Sequence, residues 1–187
     1  MISFNLVAAD KLNLSSVAFD LDCAKKMSET RQIEFLKGRF LLRAEAAKIL
    51  KSSPKLIEFA KVGRKLHIVG PKPLECSLAH TQGWFAYAIA NTPIGIDVEL
   101  LDRQIDMLRI AKRYFHQNEY SWVIKSSKPD RAALKLWTAK EAYVKCLGST
   151  LAKELGRTNF DSNWQLPGYK AQFISENNCV VCLVVKV

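Results

Sequence analysis

The sequence predicts an α+β protein built from two similar halves. Its 187 residues, of which 49% are hydrophobic, are enough to bury a substantial core. In each half, helical periodicity is followed by paired, β-branched runs that indicate strands joined by turns. Residues 43–50 and 139–147 both have a helical pattern, and their amino-acid sequences are faintly similar. This similarity favours an internal duplication. We assign residues 1–93 to an N-terminal half and residues 94–187 to a C-terminal half.

The first part of the chain is predicted to contain a strand, a long helix and four further strands. Apolar alternation predicts the first strand at residues 2–9, and a helical repeat predicts the helix at residues 28–51. We expect Gly38 to interrupt this helix, because glycine is a poor helix former. Short apolar runs between turn residues then predict strands at residues 65–69, 74–79, 84–90 and 94–100.

The remainder of the chain is predicted to consist of three helices followed by two strands. Helical periodicity appears at residues 105–115, 117–124 and 131–147, and Gly148 is a typical residue to end the last of these helices. Two β-branched runs follow, separated by turn residues. They predict closing strands at residues 169–175 and 179–187.

The charge and cysteine content narrow the possible partners and location. Lys and Arg outnumber Asp and Glu by 28 to 18, so the surface should attract an anion such as nucleic acid, a phosphorylated cofactor, an acidic protein or an anionic membrane. The longest apolar runs are far short of the roughly 20 residues that span a bilayer. The N-terminus lacks the pattern of a secretory signal, and the five cysteines show no disulfide framework. We therefore expect a cytoplasmic protein without a membrane-spanning helix.

Two acidic residues in one predicted strand are the first candidates for a functional site. In the run Ile94-Gly95-Ile96-Asp97-Val98-Glu99, alternation places Asp97 and Glu99 on one face of the strand. Like charges this close repel each other, and a divalent cation with oxygen ligands relieves the repulsion. Glu141, in the helix some forty residues later, is the natural third carboxylate.

The helix that carries Glu141 also supplies two lysines. Glu141 and Lys145 are four residues apart and share a helix face, so by themselves they fit a solvent-exposed salt bridge. The joint pattern of the acidic strand and the helix Trp137-Thr-Ala-Lys-Glu-Ala-Tyr-Val-Lys145 favours a different interpretation. Three carboxylates can hold Mg²⁺, while Lys140 and Lys145 contact the phosphate oxygens of a substrate.

At these residues the chain resembles the 4′-phosphopantetheinyl transferases of the short, monomeric kind. The family pattern is a G-[IV]-D-x-E strand followed by [FW]-[STC]-x-K-E-[AS]-x-x-K, and the chain satisfies each fixed position. The resemblance spans roughly residues 30 to 150. Outside the two motifs, it is carried by Gly38-Arg39 with Arg43, by residues 77–83 and 110–115, and by Glu119-Tyr120.

The resemblance implies a fold, a reaction and a set of site residues. The two halves would be related by a pseudo-twofold axis, with coenzyme A in the cleft between them. Asp97, Glu99 and Glu141 would hold Mg²⁺ on the coenzyme A pyrophosphate, and Lys145, assisted by Lys140, would contact the same group. The N-terminal half would bind the 3′-phosphate and adenine end through His80, Lys72, Arg39, Arg31 and Arg43. Without the resemblance, the position of His80 at a strand end before Gly83 favours a structural role at a turn.

The implied reaction transfers 4′-phosphopantetheine from coenzyme A to a serine of an apo acyl or peptidyl carrier protein and releases adenosine 3′,5′-bisphosphate. Either Glu141 or a base acting through metal-bound water would take the serine proton. The enzyme would serve lipid or polyketide biosynthesis as a monomer, without a nucleic acid or membrane partner. Two alternatives remain open from the residues alone: a Mg²⁺-dependent nuclease and a non-catalytic carrier-protein binder.

Overall fold

The computed structural model describes residues 1–13 and 18–187 as a mixed α+β protein with two antiparallel sheets. Within the described residues there are nine strands and six α-helices. The strands are β1 (Ile2–Ala8), β2 (Phe59–Val62), β3 (Lys65–Ile68), β4 (Leu74–Thr81), β5 (Trp84–Ala90), β6 (Ile94–Leu100), β7 (Gln165–Leu166), β8 (Tyr169–Glu176) and β9 (Cys179–Lys186). The helices are α1 (Ala18–Ala24), α2 (Glu29–Leu50), α3 (Met107–Tyr114), α4 (Gln117–Ile124), α5 (Pro129–Leu147) and α6 (Leu151–Glu154).

The two sheets pack face to face between helices. The first sheet has the order β1-β5-β4-β3-β2, and α2 packs on it through an apolar cluster that includes Leu42 and Ile89. The second has the order β6-β9-β8-β7, and α5 packs on it through residues such as Leu136 and Val180. The inner faces meet in a third cluster, where small residues such as Ala88 allow close approach. This packing forms the body on which the candidate site is built.

The strands β5 and β6 follow each other in sequence but belong to different sheets. β5 pairs with β1 and β4, whereas β6 pairs with β9. One hydrogen bond between β6 and β4 joins the two sheets: the Ile96 amide donates to Ser77 Oγ at 3.0 Å. The chain thus passes from the first sheet to the second across residues 91–93, so β6 carries its acidic residues close to β4 of the other sheet.

Most of the predicted strands and helices are present, with ends that shift by a few residues. The elements that the sequence analysis missed are short, namely α1, α6, β2 and β7. Helix α1 has seven residues and is held on α2 by a buried ion pair between Asp20 Oδ2 and Arg43 Nε, which are 2.5 Å apart. Tertiary contacts of this kind leave no periodic pattern in the sequence. No helix among the described residues is long and apolar enough to cross a bilayer.

The predicted interruption at Gly38 is wrong, because α2 continues through this residue for its full 22 residues. Gly38 is buried against strand β4. A Cβ atom at this position would lie 2.2 Å from Leu78 Cδ2. Glycine therefore permits the helix to approach the sheet, and this packing outweighs its poor helix propensity.

Gly95 allows an equally close approach of α5 to β6, and we expect Gly95→Ala to be strongly destabilising. A Cβ atom there would lie 1.9 Å from the backbone oxygen of Ala142, which cannot move without shifting the helix. The expected loss in the free energy of unfolding is about 3 kcal/mol or more, measured by urea denaturation. Gly70→Ala is the matched control, since its nearest neighbour would be 3.9 Å away, and it should change stability by less than about 0.5 kcal/mol. Equal stability of the two variants would contradict the close approach.

Candidate active site

A cavity of about 950 Å³ lies where the end of β4, the strand β6 and the helix α5 meet. Its walls carry both acidic and basic side chains. The charged or titratable residues that line it are His80, Asp97, Glu99, Asp102, Arg103, Glu141 and Lys145. This combination suits a ligand that carries negative charge together with a cation.

Strand β6 and helix α5 bring three carboxylates together in this cavity. Ile96 and Val98 point into the core between the sheets, so the alternation of the strand turns Asp97 and Glu99 toward the cavity. Helix α5 crosses β6 closely and adds Glu141. One oxygen from each of the three carboxylates lies within 4.8 Å of the other two.

The three carboxylates carry more negative charge than the neighbouring cations neutralise. Lys145 Nζ donates to Asp97 Oδ1 at 2.7 Å, and Arg103 forms an ion pair with Glu99. Burial, followed by the charge of Asp97, raises the pKa of Glu141 to about 8, and the same two causes raise the pKa of Glu99. An additional cation bound between the three carboxylates would lower the pKa of both Glu141 and Glu99.

The arrangement fits a Mg²⁺ ion. Asp97 Oδ2 is buried and accepts no hydrogen bond from any described residue. Glu99 Oε1 is oriented by two donors, Arg103 and Trp137 Nε1, the latter at 3.1 Å. Oxygen ligands from carboxylates are those that Mg²⁺ prefers, and donors on the other oxygen of a carboxylate fix its orientation. Asp97, Glu99 and Glu141 are therefore able to hold the ion that the sequence motif implies.

The raised pKa of Glu141 predicts that the metal-free protein loses stability as pH rises. Between its ordinary pKa of 4.5 and its raised pKa of about 8, Glu141 binds more protons in the folded than in the unfolded state. The stabilisation from this extra proton is fully present below pH 4.5 and is lost as the pH rises through the folded-state pKa of about 8. After allowance for solvent screening, we expect a loss of about 2 kcal/mol in the free energy of unfolding, spread between about pH 4.5 and pH 8.

Urea denaturation in EDTA measures this loss. Glu141→Gln should flatten the pH dependence, and Mg²⁺ should restore stability at the alkaline end, since the ion favours the ionised carboxylates. An unchanged slope in Glu141→Gln would show that other groups cause the pH dependence.

His80 and Arg31 line two adjoining cavities that share His80 and Leu78. His80 is exposed at the end of β4 and lines the main cavity. It also lines an adjoining cavity of about 570 Å³, together with Arg31, Phe35 and Glu34. Glu34 Oε1 is 3.8 Å from His80 Nδ1. These two predicted anion contacts are therefore accessible from the acidic cluster through neighbouring cavities.

The structure does not bring Lys140 to the cavity, contrary to its expected contact with phosphate. Only 1% of its side chain is exposed, and Nζ is 2.7 Å from Glu119 Oε2. The remaining donors of Nζ reach the carbonyl oxygens of Leu155 and Thr158, both at 2.8 Å. Lys140 and Glu141 are adjacent in sequence, and successive helix positions point about 100° apart. Lys140 thus faces the core while Glu141 faces the cavity.

Arg43, Arg39 and Lys72 are also placed away from the cavity. Arg43 is buried in its pair with Asp20 and also donates to the carbonyl oxygen of Ile57. The Arg39 guanidinium lies 4.4 Å from the ring centroid of Phe59, which is a cation–π contact. Lys72 is exposed in the bend between β3 and β4. In this structure Arg43 and Arg39 support the packing of α2.

Four residues at or beside the site have no functional role predicted from the sequence. Trp137 is four residues before Glu141, so the spacing of helix faces could have shown that it points toward the acidic cluster. Arg103 lies in the loop after β6, where no periodic signal exists. Arg64 and Lys65 line a smaller cavity of about 300 Å³ that Lys145 also lines. Their position depends on the pairing of β2 with β3, which the sequence analysis did not predict.

Comparisons with known proteins identify relatives of this chain. The model of the 4′-phosphopantetheinyl transferase superfamily matches residues 93–185. The 4′-phosphopantetheinyl transferase HetI of Nostoc sp. is 30% identical over 171 residues, which cover 81% of this chain and 70% of HetI. The 4′-phosphopantetheinyl transferase gsp of Aneurinibacillus migulanus is 34% identical over 89 residues, or 46% of this chain and 37% of gsp. A 4′-phosphopantetheinyl transferase of Bacillus subtilis is 32% identical over 122 residues, or 63% of this chain and 53% of that protein.

These matches confirm the resemblance seen in the sequence motifs. All three relatives are named as transferases, which favours neither the nuclease nor the non-catalytic binder. The matched region spans between 37% and 70% of the length of these relatives. The family match includes β6 and α5, and therefore all three carboxylates of the acidic cluster.

Proposed function

Because the chain belongs to the 4′-phosphopantetheinyl transferase superfamily, we propose that it transfers 4′-phosphopantetheine from coenzyme A to a serine of an apo acyl or peptidyl carrier protein. Adenosine 3′,5′-bisphosphate is the second product. The observation that carries this proposal is the grouping of Asp97, Glu99 and Glu141 within 4.8 Å, beside Lys145, in an open cavity. Such a site can bind a pyrophosphate together with its counter-ion.

The side chains of the site have distinct roles in this reaction. Asp97, Glu99 and Glu141 would hold Mg²⁺, which when bound would supply positive charge to the pyrophosphate that is cleaved. Lys145 lies one helical turn beyond Glu141 and contacts the same pyrophosphate. Its ammonium group stabilises the charge that grows on the leaving phosphate.

Glu141 is the residue that we propose accepts the serine proton. Its pKa of about 8 in the metal-free protein results from burial and from neighbouring carboxylates. Neutralisation of those carboxylates lowers this pKa, so that the group is ionised near neutral pH. An ionised carboxylate at the cavity wall can act as a general base toward the serine hydroxyl.

The other end of coenzyme A would lie in the neighbouring cavities. His80 and Arg31 are proposed to bind the 3′-phosphate and adenine end, since both line the cavity that adjoins that of the acidic cluster. Arg64 is a further candidate for a phosphate contact, because its cavity also adjoins Lys145. Lys65 lines the same cavity, but its ammonium group is already paired with Glu75. We propose that this cleft separates two halves, residues 1–93 and 94–187, related by a pseudo-twofold axis.

The net charge of the chain fits both proposed substrates. Coenzyme A carries phosphates and carrier proteins present acidic helices, so a formal charge of +10 favours encounter with each of them. We propose a monomer without nucleic acid or membrane partners, since one chain supplies every residue of the site. All five cysteines are free thiols, which fits the proposed cytoplasmic location.

Intact-mass spectrometry of apo carrier proteins tests the proposed function. The chain is incubated with coenzyme A, Mg²⁺ and several carriers from fatty acid, polyketide and peptide synthesis. We expect a gain of one phosphopantetheine on at least one carrier, none in EDTA, and none on a carrier whose acceptor serine is replaced by alanine. Binding of coenzyme A without any gain of mass would favour a non-catalytic binder. Cleavage of DNA without binding of coenzyme A would favour a nuclease.

A further inference from the structure

Arg103, like Lys145, lies between the acidic cluster and the open cavity. It lies four residues after Glu99, just beyond the end of β6, and its guanidinium Nη1 donates to Glu99 Oε1. About 31% of its side chain is exposed, and it lines the cavity of about 950 Å³. The residue therefore touches a proposed metal ligand while remaining accessible to whatever enters the cavity.

Arg103 is paired with Glu99 and acts as its counter-ion. A dication held by Asp97, Glu99 and Glu141 would lie beside the guanidinium, and two cations so close to one carboxylate repel each other. The second donor to Glu99 Oε1 is the uncharged Trp137 indole N–H at 3.1 Å. Glu99 thus keeps one orienting hydrogen bond when Arg103 leaves.

The side chain of Arg103 can change its partner without a change in the fold. Its carbonyl oxygen accepts a hydrogen bond from the Ile105 amide at 2.9 Å, which ties down the backbone of this loop. The loop is continued by Asp106, which caps helix α3 by accepting from the Arg109 amide at 2.8 Å. Only the side chain has to turn, and its planar guanidinium is suited to bidentate contact with phosphate oxygens.

We propose that Arg103 has two partners: Glu99 in the metal-free protein, and the coenzyme A pyrophosphate when metal and coenzyme A are bound. This inference rests on the proposed function. It adds a residue outside both sequence motifs to the phosphate-binding set. It also gives Arg103 two opposing effects, since the residue weakens metal binding to the free protein and strengthens coenzyme A binding to the loaded protein.

Binding of Mn²⁺ to the free protein tests the first effect, because Mn²⁺ also takes carboxylate ligands and its unbound form is counted by electron paramagnetic resonance. Without coenzyme A, Arg103→Met should bind Mn²⁺ about fivefold more tightly than the parent protein, since a competing cation is gone. Arg103→Lys should lie between the two.

Coenzyme A binding in the presence of Mg²⁺, measured by titration calorimetry, tests the second effect. Arg103→Met should bind about tenfold more weakly, because a charge-assisted contact to phosphate is lost. A misfolded variant would lose both affinities, whereas the proposal requires them to change in opposite directions.

Arg109→Met is the matched control, since Arg109 is exposed on α3, carries the same charge and does not line the cavity. It should leave both affinities within about twofold of the parent. If Mn²⁺ affinity is no higher in Arg103→Met than in Arg109→Met, the proposed competition between Arg103 and the metal at Glu99 is wrong. If the affinity for coenzyme A is unchanged in Arg103→Met, the proposed contact of Arg103 with the pyrophosphate is wrong. Neither result would contradict the proposed transferase function of the parent protein. A parent protein that binds neither Mn²⁺ nor coenzyme A would overturn the proposed function together with this inference.

Discussion

Asp97→Ala is expected to lower the rate of phosphopantetheine transfer about a thousandfold, because it removes a central ligand of the proposed metal site. Asp97 is 3% exposed, and its Oδ2 atom has no hydrogen-bond partner among the described residues. Its side chain therefore contributes negative charge to the cluster without being fully satisfied itself. Transfer is measured with coenzyme A, Mg²⁺ and a carrier protein that the parent modifies.

The same variant should remain folded. Loss of the pair with Lys145 is offset by relief of repulsion from Glu99 and Glu141, so the midpoint of thermal unfolding should change by only a few degrees. Asp102→Ala is the matched control, because Asp102 lines the same cavity but is exposed and lies outside the cluster of three. Its rate should stay within about threefold of the parent. Retained turnover in Asp97→Ala would rule out the metal assignment.

Lys140→Met is expected to cause a large loss of stability. The substitution leaves Glu119 buried and without its charge partner, and removing one member of a buried pair costs about 3 to 5 kcal/mol. It also frees the carbonyl oxygens of Leu155 and Thr158. Urea denaturation measures the loss, and the Michaelis constant for coenzyme A in the folded fraction should stay close to that of the parent.

The double variant Lys140→Met with Glu119→Leu separates charge from packing at this position. Replacing both members of a buried pair by apolar residues avoids the unpaired charge, so the double variant should recover much of the lost stability. A stable Lys140→Met protein with a strongly raised Michaelis constant for coenzyme A would return Lys140 to the phosphate contact that the sequence motif implied.

The acidic cluster was predictable from the sequence because it depends on local periodicity. The alternation of β6 fixes the shared face of Asp97 and Glu99, and the spacing of four residues fixes the shared face of Glu141 and Lys145. Which helix face points to the strand was less evident. The helical repeat of 3.6 residues places Trp137, four residues before Glu141, on the same face as Glu141. It places Lys140, one residue before Glu141, on a different face.

The basic residues were harder to assign, because charge alone does not distinguish a ligand contact from a structural pair. Arg43 and Lys140 both resembled anion-binding residues in the sequence, and both are buried against a carboxylate of a distant segment. Those partners, Asp20 and Glu119, are separated from them by about 20 residues, beyond the reach of any helical or strand period. Arg103 was missed for the opposite reason, since its partner is near but the connecting loop has no regular geometry.

Anomalous diffraction from crystals grown with Mn²⁺ and coenzyme A would show whether the three carboxylates bind the metal, because it locates the ion independently of activity. We expect one strong peak in contact with carboxylate oxygens of Asp97, Glu99 and Glu141, at about 2.0 to 2.6 Å, with the pyrophosphate on its open side. A metal peak elsewhere on the chain, or coenzyme A bound with no metal between the three carboxylates, would contradict this expectation.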